Sequence, residues 1–229
     1  MKTDMIYARL AQVYRLLDRI YFRVPSASPR QAVIDYIPKN PCRVLDVCTG
    51  TGILPRKIAA ARPEARILGI DRSREMLEVA RRDIRKSGEK NIWLKCMDAT
   101  DTGLKPESFD VVILSLVLHE TEEKLAQAMV KEAYRVLRPD GRLLIMEWEK
   151  PSGWKKNLLF YPILTLEPKG FREFLVLDYE KWFATCGFSI QTRNHCDYSV
   201  VMECRKTVIS QPDGDTLWEC SQKNGGTDW

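Results

Sequence analysis

Short apolar runs alternate with segments of helical periodicity from about residue 43 to residue 148. The runs predict strands, and the segments with an apolar residue every three or four positions predict helices between them. Strands that alternate with helices in this way favour a parallel sheet that is covered on both faces. The predicted strands are Arg43–Val47, Arg66–Ile70, Ile92–Cys96, Phe109–Leu116 and Arg142–Trp148; the predicted helices are Ile53–Ala61, Ser73–Lys86 and Glu122–Leu137, the last closed by a turn at Arg138–Gly141.

The N-terminal residues 1–38 predict additional helices. Residues 3–21 place apolar side chains, Tyr7 and Tyr14 among them, along one stripe at helical spacing. This stripe fits either a lid over a site or a helix that packs on the core. A second helix is predicted to run to Tyr36, with Ser28 as N-cap, Pro29 at the first position and Gln31 as the partner in a capping box.

The C-terminal part breaks the alternation. Residues 151–177 are rich in aromatic residues and prolines, with lysines and an arginine between them. This composition predicts a cap inserted into the fold, which offers an apolar pocket wall with a basic rim or a surface for an anionic membrane. The remaining predictions are a helix at Asp178–Cys186, an antiparallel hairpin of Phe188–His195 with Tyr198–Arg205, one domain over 1–206 and a flexible tail over 207–229.

The composition limits the functional classes. With 229 residues and 45% hydrophobic residues, the chain can bury a full core. It has no long uncharged apolar run and no secretory signal pattern, so we expect a cytoplasmic location. Seven cysteines without a Cys-x-x-Cys spacing, together with only two histidines, predict reduced thiols and no metal site.

The net charge of +5 comes from scattered lysines and arginines. The densest cluster, Arg81, Arg82, Arg85 and Lys86, has the spacing of a solvated helix face. We therefore expect that this cluster is not a nucleic-acid-binding surface and that the protein has no nucleic-acid partner.

The segment Val44–Gly52 predicts a ligand-binding loop between a buried strand and a helix. Gly50 and Gly52 permit positive φ and a close approach of a ligand to the backbone. Pro55 stands where a dinucleotide fingerprint needs its third glycine, which argues against a nicotinamide oxidoreductase. Asp46 would repel a pyrophosphate but suits the ammonium of a methionine moiety. The loop therefore favours S-adenosylmethionine, the alternative being a strand–turn–helix without a ligand.

Two more acids follow the next two predicted strands. Asp71 lies about 20 residues after the turn, where a carboxylate can accept hydrogen bonds from both ribose hydroxyls. Asp98, preceded by Met97, can accept from an adenine amino group. The alternatives are an acid at a helix N-terminus for Asp71 and an ordinary turn residue for Asp98.

These segments resemble the methyltransferase superfamily typified by the ubiquinone- and menaquinone-biosynthesis C-methyltransferases. The resemblance covers roughly residues 30–150 and rests on four ordered motifs, Val44–Gly52, Gly69–Ser73, Phe109–Ser115 and Val136–Leu143. It implies a doubly wound, seven-stranded α/β sheet, mostly parallel with an antiparallel last strand. The expected cofactor-binding residues are Asp46, Val47, Cys48, Gly50, Gly52, Asp71, Arg72, Met97, Asp98, Ala99 and Ser115. Cys48 replaces the glycine of many relatives and narrows the loop.

Two residues are candidates for catalysis. His119 follows the fourth predicted strand, at the expected cofactor crevice, where an imidazole can act as a general base or orient an acceptor. The alternatives are packing against the sheet or capping of the next helix with Glu120. Tyr14, on the N-terminal stripe, is the second candidate. A base is needed only where the acceptor must lose a proton.

The resulting functional hypothesis is methyl transfer from S-adenosylmethionine to a small, partly apolar acceptor of the lipid or quinone kind. The aromatic cap also fits peripheral contact with a membrane. The alternatives are a non-catalytic S-adenosylmethionine-binding or interaction protein and a methyltransferase that acts on a protein or on a thiophilic acceptor such as arsenic. The sequence does not indicate an oligomeric state.

Overall fold

The computed structural model describes Tyr21, residues 28–166 and residues 171–207. Tyr7, Tyr14 and the segment beyond Thr207 lie outside the described residues. The helices are α1 (Pro29–Tyr36), α2 (Ile53–Ala61), α3 (Arg74–Ser87), α4 (Glu123–Val136), α5 (Trp154–Leu166), α6 (Phe171–Phe174) and α7 (Tyr179–Ala184). The strands are β1 (Arg43–Val47), β2 (Arg66–Asp71), β3 (Ile92–Cys96), β4 (Phe109–Ser115), β5 (Leu137–Trp148), β6 (Phe188–Cys196) and β7 (Ser199–Lys206).

The seven strands form one sheet in the order β3-β2-β1-β4-β5-β7-β6. All pairs from β3 to β5 are parallel, whereas β7 runs antiparallel to both β5 and β6. The predicted fold class is therefore confirmed. The order reverses between β1 and β4, and in open α/β sheets such a switch point leaves a crevice beyond the carboxyl ends of the strands.

Two hydrophobic cores cover the two faces of the sheet because successive side chains of a strand point to opposite faces. In β4, Val112 and Leu114 belong to the core under α4, while Val111 and Ile113 belong to the core under α1 and α2. All four side chains are fully buried. The continuous apolar run of β4 thus reflects a strand that is buried on both faces.

The structure corrects the start of β5. The turn predicted at Arg138–Gly141 is part of the strand, which begins at Leu137. Leu137 is fully buried and pairs with Phe109, and the register then shifts so that Val111 pairs with Arg142. Residues 138–141 therefore form an irregularity within β5. Burial of Leu137 keeps the start of this segment on the sheet, and Arg142 resumes the pairing at its end.

The capping box predicted for α1 is also wrong. The Ser28 side chain accepts no capping hydrogen bond, and Gln31 Nε2 donates instead to Asp35 Oδ1 at 2.8 Å. An i, i+4 pair on the exposed face of the helix competes with the cap for the glutamine amide. At α3 the expected N-cap does form, because Ser73 Oγ accepts from the Met76 N–H at 3.2 Å.

The two N-cap serines therefore differ in their contribution to stability. Ser73→Ala should lower the free energy of unfolding by about 1 kcal/mol, because a helix N–H loses its partner. Ser28→Ala, the matched control, should change it by only a few tenths of a kcal/mol. Urea unfolding followed by circular dichroism measures both, and equal losses would contradict the difference in capping.

Candidate active site

Two loops meet at the switch point of the sheet. The first follows β1 and leads through residues 48–52 into α2; the second follows β4 and includes a short 3₁₀ helix, Leu118–Glu120. Because β1 and β4 are parallel neighbours, with Val47 paired to Leu114, both loops leave the sheet at the same edge. The side chains of these loops and of β2 define the candidate site.

Asp46, near the end of β1, is a buried acid beneath the first loop. The Thr49 hydroxyl donates to its Oδ2, whereas within the described part of the chain its buried Oδ1 has no hydrogen-bond partner. Burial raises the pKa of this carboxyl to about 7; the nearby Asp71 charge also raises it, and the Thr49 hydrogen bond and Arg30 oppose the rise. A buried acceptor atom without a partner fits a cationic group of a ligand.

Glycines shape the first loop in two different ways. Gly50 has φ +55°, and a Cβ at this position would meet no atom within 4 Å, so the space in front of it is open. Gly52 has φ +71°, and a Cβ there would lie 2.9 Å from the Ala80 Cβ. Gly50 therefore leaves room for a ligand, while Gly52 allows α2 and α3 to pack closely.

Cys48 is a non-glycine residue with φ +56°, in the left-handed region that disfavours L side chains. Burial and the charges of Asp71, Asp46 and Asp98 together raise the pKa of its thiol to about 12, and Arg72 opposes the rise. The thiol therefore stays protonated at neutral pH. The strained backbone lies where the chain must turn from β1 into the crevice.

Asp71 ties this loop to β2. Its Oδ2 accepts from the Gly50 N–H at 2.8 Å, and its Oδ1 accepts from the Ser73 N–H at 2.9 Å. A carboxylate has about four lone-pair positions, so two accepted bonds leave capacity for the hydroxyls of a ligand. Asp71 thus holds the loop backbone at Gly50 and the start of α3 at Ser73.

Asp98 fulfils the turn role that the sequence left open. Its Oδ1 accepts from the Thr100 N–H at 2.8 Å and from the Thr100 hydroxyl at 2.7 Å, and these bonds lower the pKa of the exposed carboxyl. Its Oδ2 takes no part in this turn. The other predicted residues comprise buried Val47, exposed Arg72, half-buried Met97, Ala99 and Ser115.

Glu147 in β5 organises the second loop. This fully buried carboxylate accepts from the Val117 N–H at 2.9 Å and the Leu118 N–H at 2.7 Å through Oε1. Its Oε2 lies 2.6 Å from Nδ1 of His119. Glu147 is not among the residues predicted from the sequence, although an acid within the otherwise apolar run Leu143–Trp148 is a signal for it.

His119 is buried between Glu147 and the cap. An ionised carboxylate only accepts hydrogen bonds, so the pairing assigns the proton to Nδ1 and leaves Nε2 as the basic nitrogen. The Phe171 ring meets the imidazole edge-to-face at 5.4 Å, and the Phe174 ring lies at 6.0 Å. His119 thus lies against an aromatic wall with its Nδ1 held by Glu147.

The cap contributes this wall through α6 rather than α5. Phe160 is fully buried in a cluster with Trp148, Phe171 and Tyr198, while Tyr161 on the same helix is exposed. Of the aromatic residues in the cap, Phe171 and Phe174 contact the imidazole.

The chain is similar to known methyltransferases. A model of the methyltransferase domain matches residues 44–141. A demethylmenaquinone methyltransferase from Thermus thermophilus is 31% identical over 156 residues, 68% of this chain and 70% of the relative. One from Lactobacillus johnsonii is 34% identical over 126 residues, 52% of this chain and 51% of the relative.

Among solved structures, an O-methyltransferase from neocarzinostatin biosynthesis, in complex with S-adenosyl-L-homocysteine and 1,4-dihydroxy-2-naphthoic acid, aligns with a TM-score of 0.71. The alignment has 16% identity and covers 89% of this chain and 59% of that one, so it shows a shared fold. The chain spans between about half and two thirds of the length of the first curated relatives that it matches.

The raised pKa of Asp46 predicts a pH-dependent cost in stability. Between the ordinary value of 3.8 and about 7, the native carboxyl holds a proton that the unfolded chain releases, so stability falls as pH rises through this range. The loss reaches up to about 4 kcal/mol, about 1.4 kcal/mol for each pH unit. Asp46→Asn should abolish this component.

The measurement is the difference in unfolding free energy between wild type and Asp46→Asn at pH 4.5 and pH 8. The variant should gain relative to wild type at pH 8, and Asp83→Asn, at a partly exposed carboxylate of α3, serves as the control. A difference that is the same at both pH values would contradict the buried, protonated state of Asp46.

Proposed function

Because the chain belongs to the class I S-adenosylmethionine-dependent methyltransferases, whose cofactor is S-adenosylmethionine, we propose that it methylates a small, partly apolar, quinone-like acceptor. The observation that carries the acceptor class is the buried His119–Glu147 pair beside two phenylalanine rings. The names of similar proteins support this acceptor class. The relative from Thermus thermophilus is a demethylmenaquinone methyltransferase, and the structural neighbour is in complex with a dihydroxynaphthoic acid.

The residues of the first loop fit the cofactor. In the proposal, the buried Oδ1 of Asp46 receives the ammonium group, and the open space at Gly50 admits the ligand to the backbone. Asp71 accepts from the ribose hydroxyls and Asp98 from the adenine amino group through its Oδ2. The other residues that line this proposed site are Val47, Cys48, Gly52, Arg72, Met97, Ala99 and Ser115.

In the second loop, His119 accepts the proton that the acceptor loses. S-adenosylmethionine supplies an electrophilic methyl group. An aromatic hydroxyl becomes a strong nucleophile when it loses its proton, and Nε2 of His119 accepts that proton in the proposed mechanism. The Glu147 carboxylate stabilises the resulting imidazolium through Nδ1, while Phe171 and Phe174 contact the acceptor ring and exclude water.

The acceptor enters in its reduced form. A quinone ring is electron-poor and does not attack an electrophilic methyl group, whereas the corresponding diol, once deprotonated, is electron-rich at oxygen and at the ring carbon. The hydroxyl proton passes to His119, the nucleophilic atom forms the new bond to the methyl group, and the methyl–sulfur bond breaks. For a carbon nucleophile, the ring hydrogen then leaves as a proton.

A cytoplasmic location belongs to the same proposal. Six cysteines of the described residues are free thiols, as expected in a reducing compartment. No helix among the described residues has the length and apolar character needed to cross a bilayer.

The assignment of Asp71 predicts a loss of cofactor affinity. Asp71→Asn removes charge-assisted acceptance from the ribose and should weaken S-adenosylmethionine and S-adenosylhomocysteine about ten- to a hundredfold. Calorimetry measures both ligands, with NAD expected to show no binding. Asp83→Asn should bind like the wild type, and an unaltered affinity of Asp71→Asn would overturn this assignment.

The assignment of His119 predicts a catalytic defect without a binding defect. With labelled S-adenosylmethionine and demethylmenaquinol as acceptor, His119→Gln should lower kcat by about 10²- to 10⁴-fold, because the acceptor keeps its proton. The dissociation constant for S-adenosylhomocysteine should change less than threefold. His195→Gln, at the exposed second histidine, is the matched control.

The same assay decides the acceptor class. The label should enter the quinol when small-molecule, lipid and protein pools are offered together. Label in the protein pool, or an unchanged kcat in His119→Gln, would contradict the proposed acceptor and base.

A further inference from the structure

Helix α5 presents large apolar side chains to solvent. Trp154, Leu158 and Tyr161 are 73%, 69% and 60% exposed, and Leu159 beside them is 47% exposed. The spacing i, i+4, i+7 places the first three on one face of the helix. The opposite face, with Phe160 and Ile163, is fully buried, so the helix is apolar on both sides.

The size of this apolar face, here called the α5 face and defined by Trp154, Leu158 and Tyr161, limits what covers it. Large side chains have about 150–250 Å² each, so these three expose on the order of 400 Å². Monomers rarely expose more than a few hundred Å² in one patch. A standard protein interface buries about 800 Å² of total surface on each partner, so the face alone would supply about half of one.

The charged residues of α5 and of the segment directly before it are basic. From Lys150 to Leu166 the chain carries three lysines and no acidic residue, whereas Glu149 precedes this segment and Asp197 pairs with one of its lysines. Lys155 lies over the Trp154 ring at 5.6 Å, and Lys156 pairs with Asp197 at 2.6 Å. Tryptophan and tyrosine favour the headgroup level of a bilayer, where basic side chains meet anionic lipids.

From these observations we infer that the α5 face docks on an anionic lipid bilayer, with Trp154, Leu158 and Tyr161 at headgroup depth and the lysines over the lipid phosphates. The buried face of the same helix packs through Phe160 on Phe171, whose ring contacts His119. If the proposed function holds, this arrangement brings the bilayer close to the site that receives an apolar acceptor. The docking itself requires neither cofactor nor acceptor.

The test uses the full chain and vesicles of phosphatidylcholine with or without 30% phosphatidylglycerol. In co-sedimentation, wild type should bind the anionic vesicles at least tenfold more tightly than the neutral ones, and added salt should weaken this binding. Leu158→Glu should reduce binding to the anionic vesicles at least tenfold. Leu125→Glu, at a 43% exposed leucine on α4, is the matched control and should bind like wild type.

Fluorescence locates the contact. Anionic vesicles should shift the wild-type tryptophan emission to the blue, and Trp154→Phe should lose most of the shift. Equal binding of Leu158→Glu and wild type would overturn the proposal, as would binding that ignores lipid charge. So would sedimentation equilibrium showing a dimer that Leu158→Glu dissociates, because another copy would then occupy the α5 face. If wild type binds the anionic vesicles but transfers no methyl group to demethylmenaquinol, that result would count against the proposed function alone.

Discussion

The buried carboxylate of Glu147 is the constraint on which the candidate site depends. Leu116 leaves β4 with φ +53°, a costly conformation for a bulky residue. Glu147 holds the following backbone by accepting from the Val117 and Leu118 N–H groups and then fixes His119 through Nδ1. A buried charge is expensive unless several hydrogen bonds compensate it, and here three donors converge on it. One carboxylate therefore holds both the backbone after the strained turn and the imidazole of His119.

In the loop after β1, a carboxylate also holds the backbone by accepting hydrogen bonds from N–H groups. Asp71 fixes the backbone of Gly50 and Ser73, while Asp46 stays buried with one oxygen that accepts no bond from the described residues. The loop thus combines an acid that fixes its backbone with a buried acid whose pKa is raised. A buried acid of this kind reduces stability and persists where a ligand or a reaction uses it. The switch point between β1 and β4 brings both loops to one crevice.

Local signals in the sequence were sufficient for much of the fold. The bounds of Arg43–Val47, Ile53–Ala61 and Ile92–Cys96 agree with the structure, because apolar runs and adjacent glycines or prolines delimit these elements. Arg138–Gly141 looked like a turn because Pro and Gly are turn residues, yet burial of Leu137 keeps this segment in the strand. The position of His119 followed from strand order, but its partner lies 28 residues away and only tertiary packing brings it close.

The central claim is that Glu147 holds His119 with its proton on Nδ1, so that Nε2 is the basic nitrogen. Two-bond nitrogen–proton correlation spectra of ¹⁵N-histidine-labelled protein test this directly, since the chain has only two histidines and His195→Gln assigns the signals. At a pH where the imidazole is neutral, His119 should show a protonated Nδ1 and an unprotonated Nε2, and Glu147→Gln should alter this pattern. A proton on Nε2 in the wild type, or a pattern indifferent to Glu147→Gln, would contradict the account.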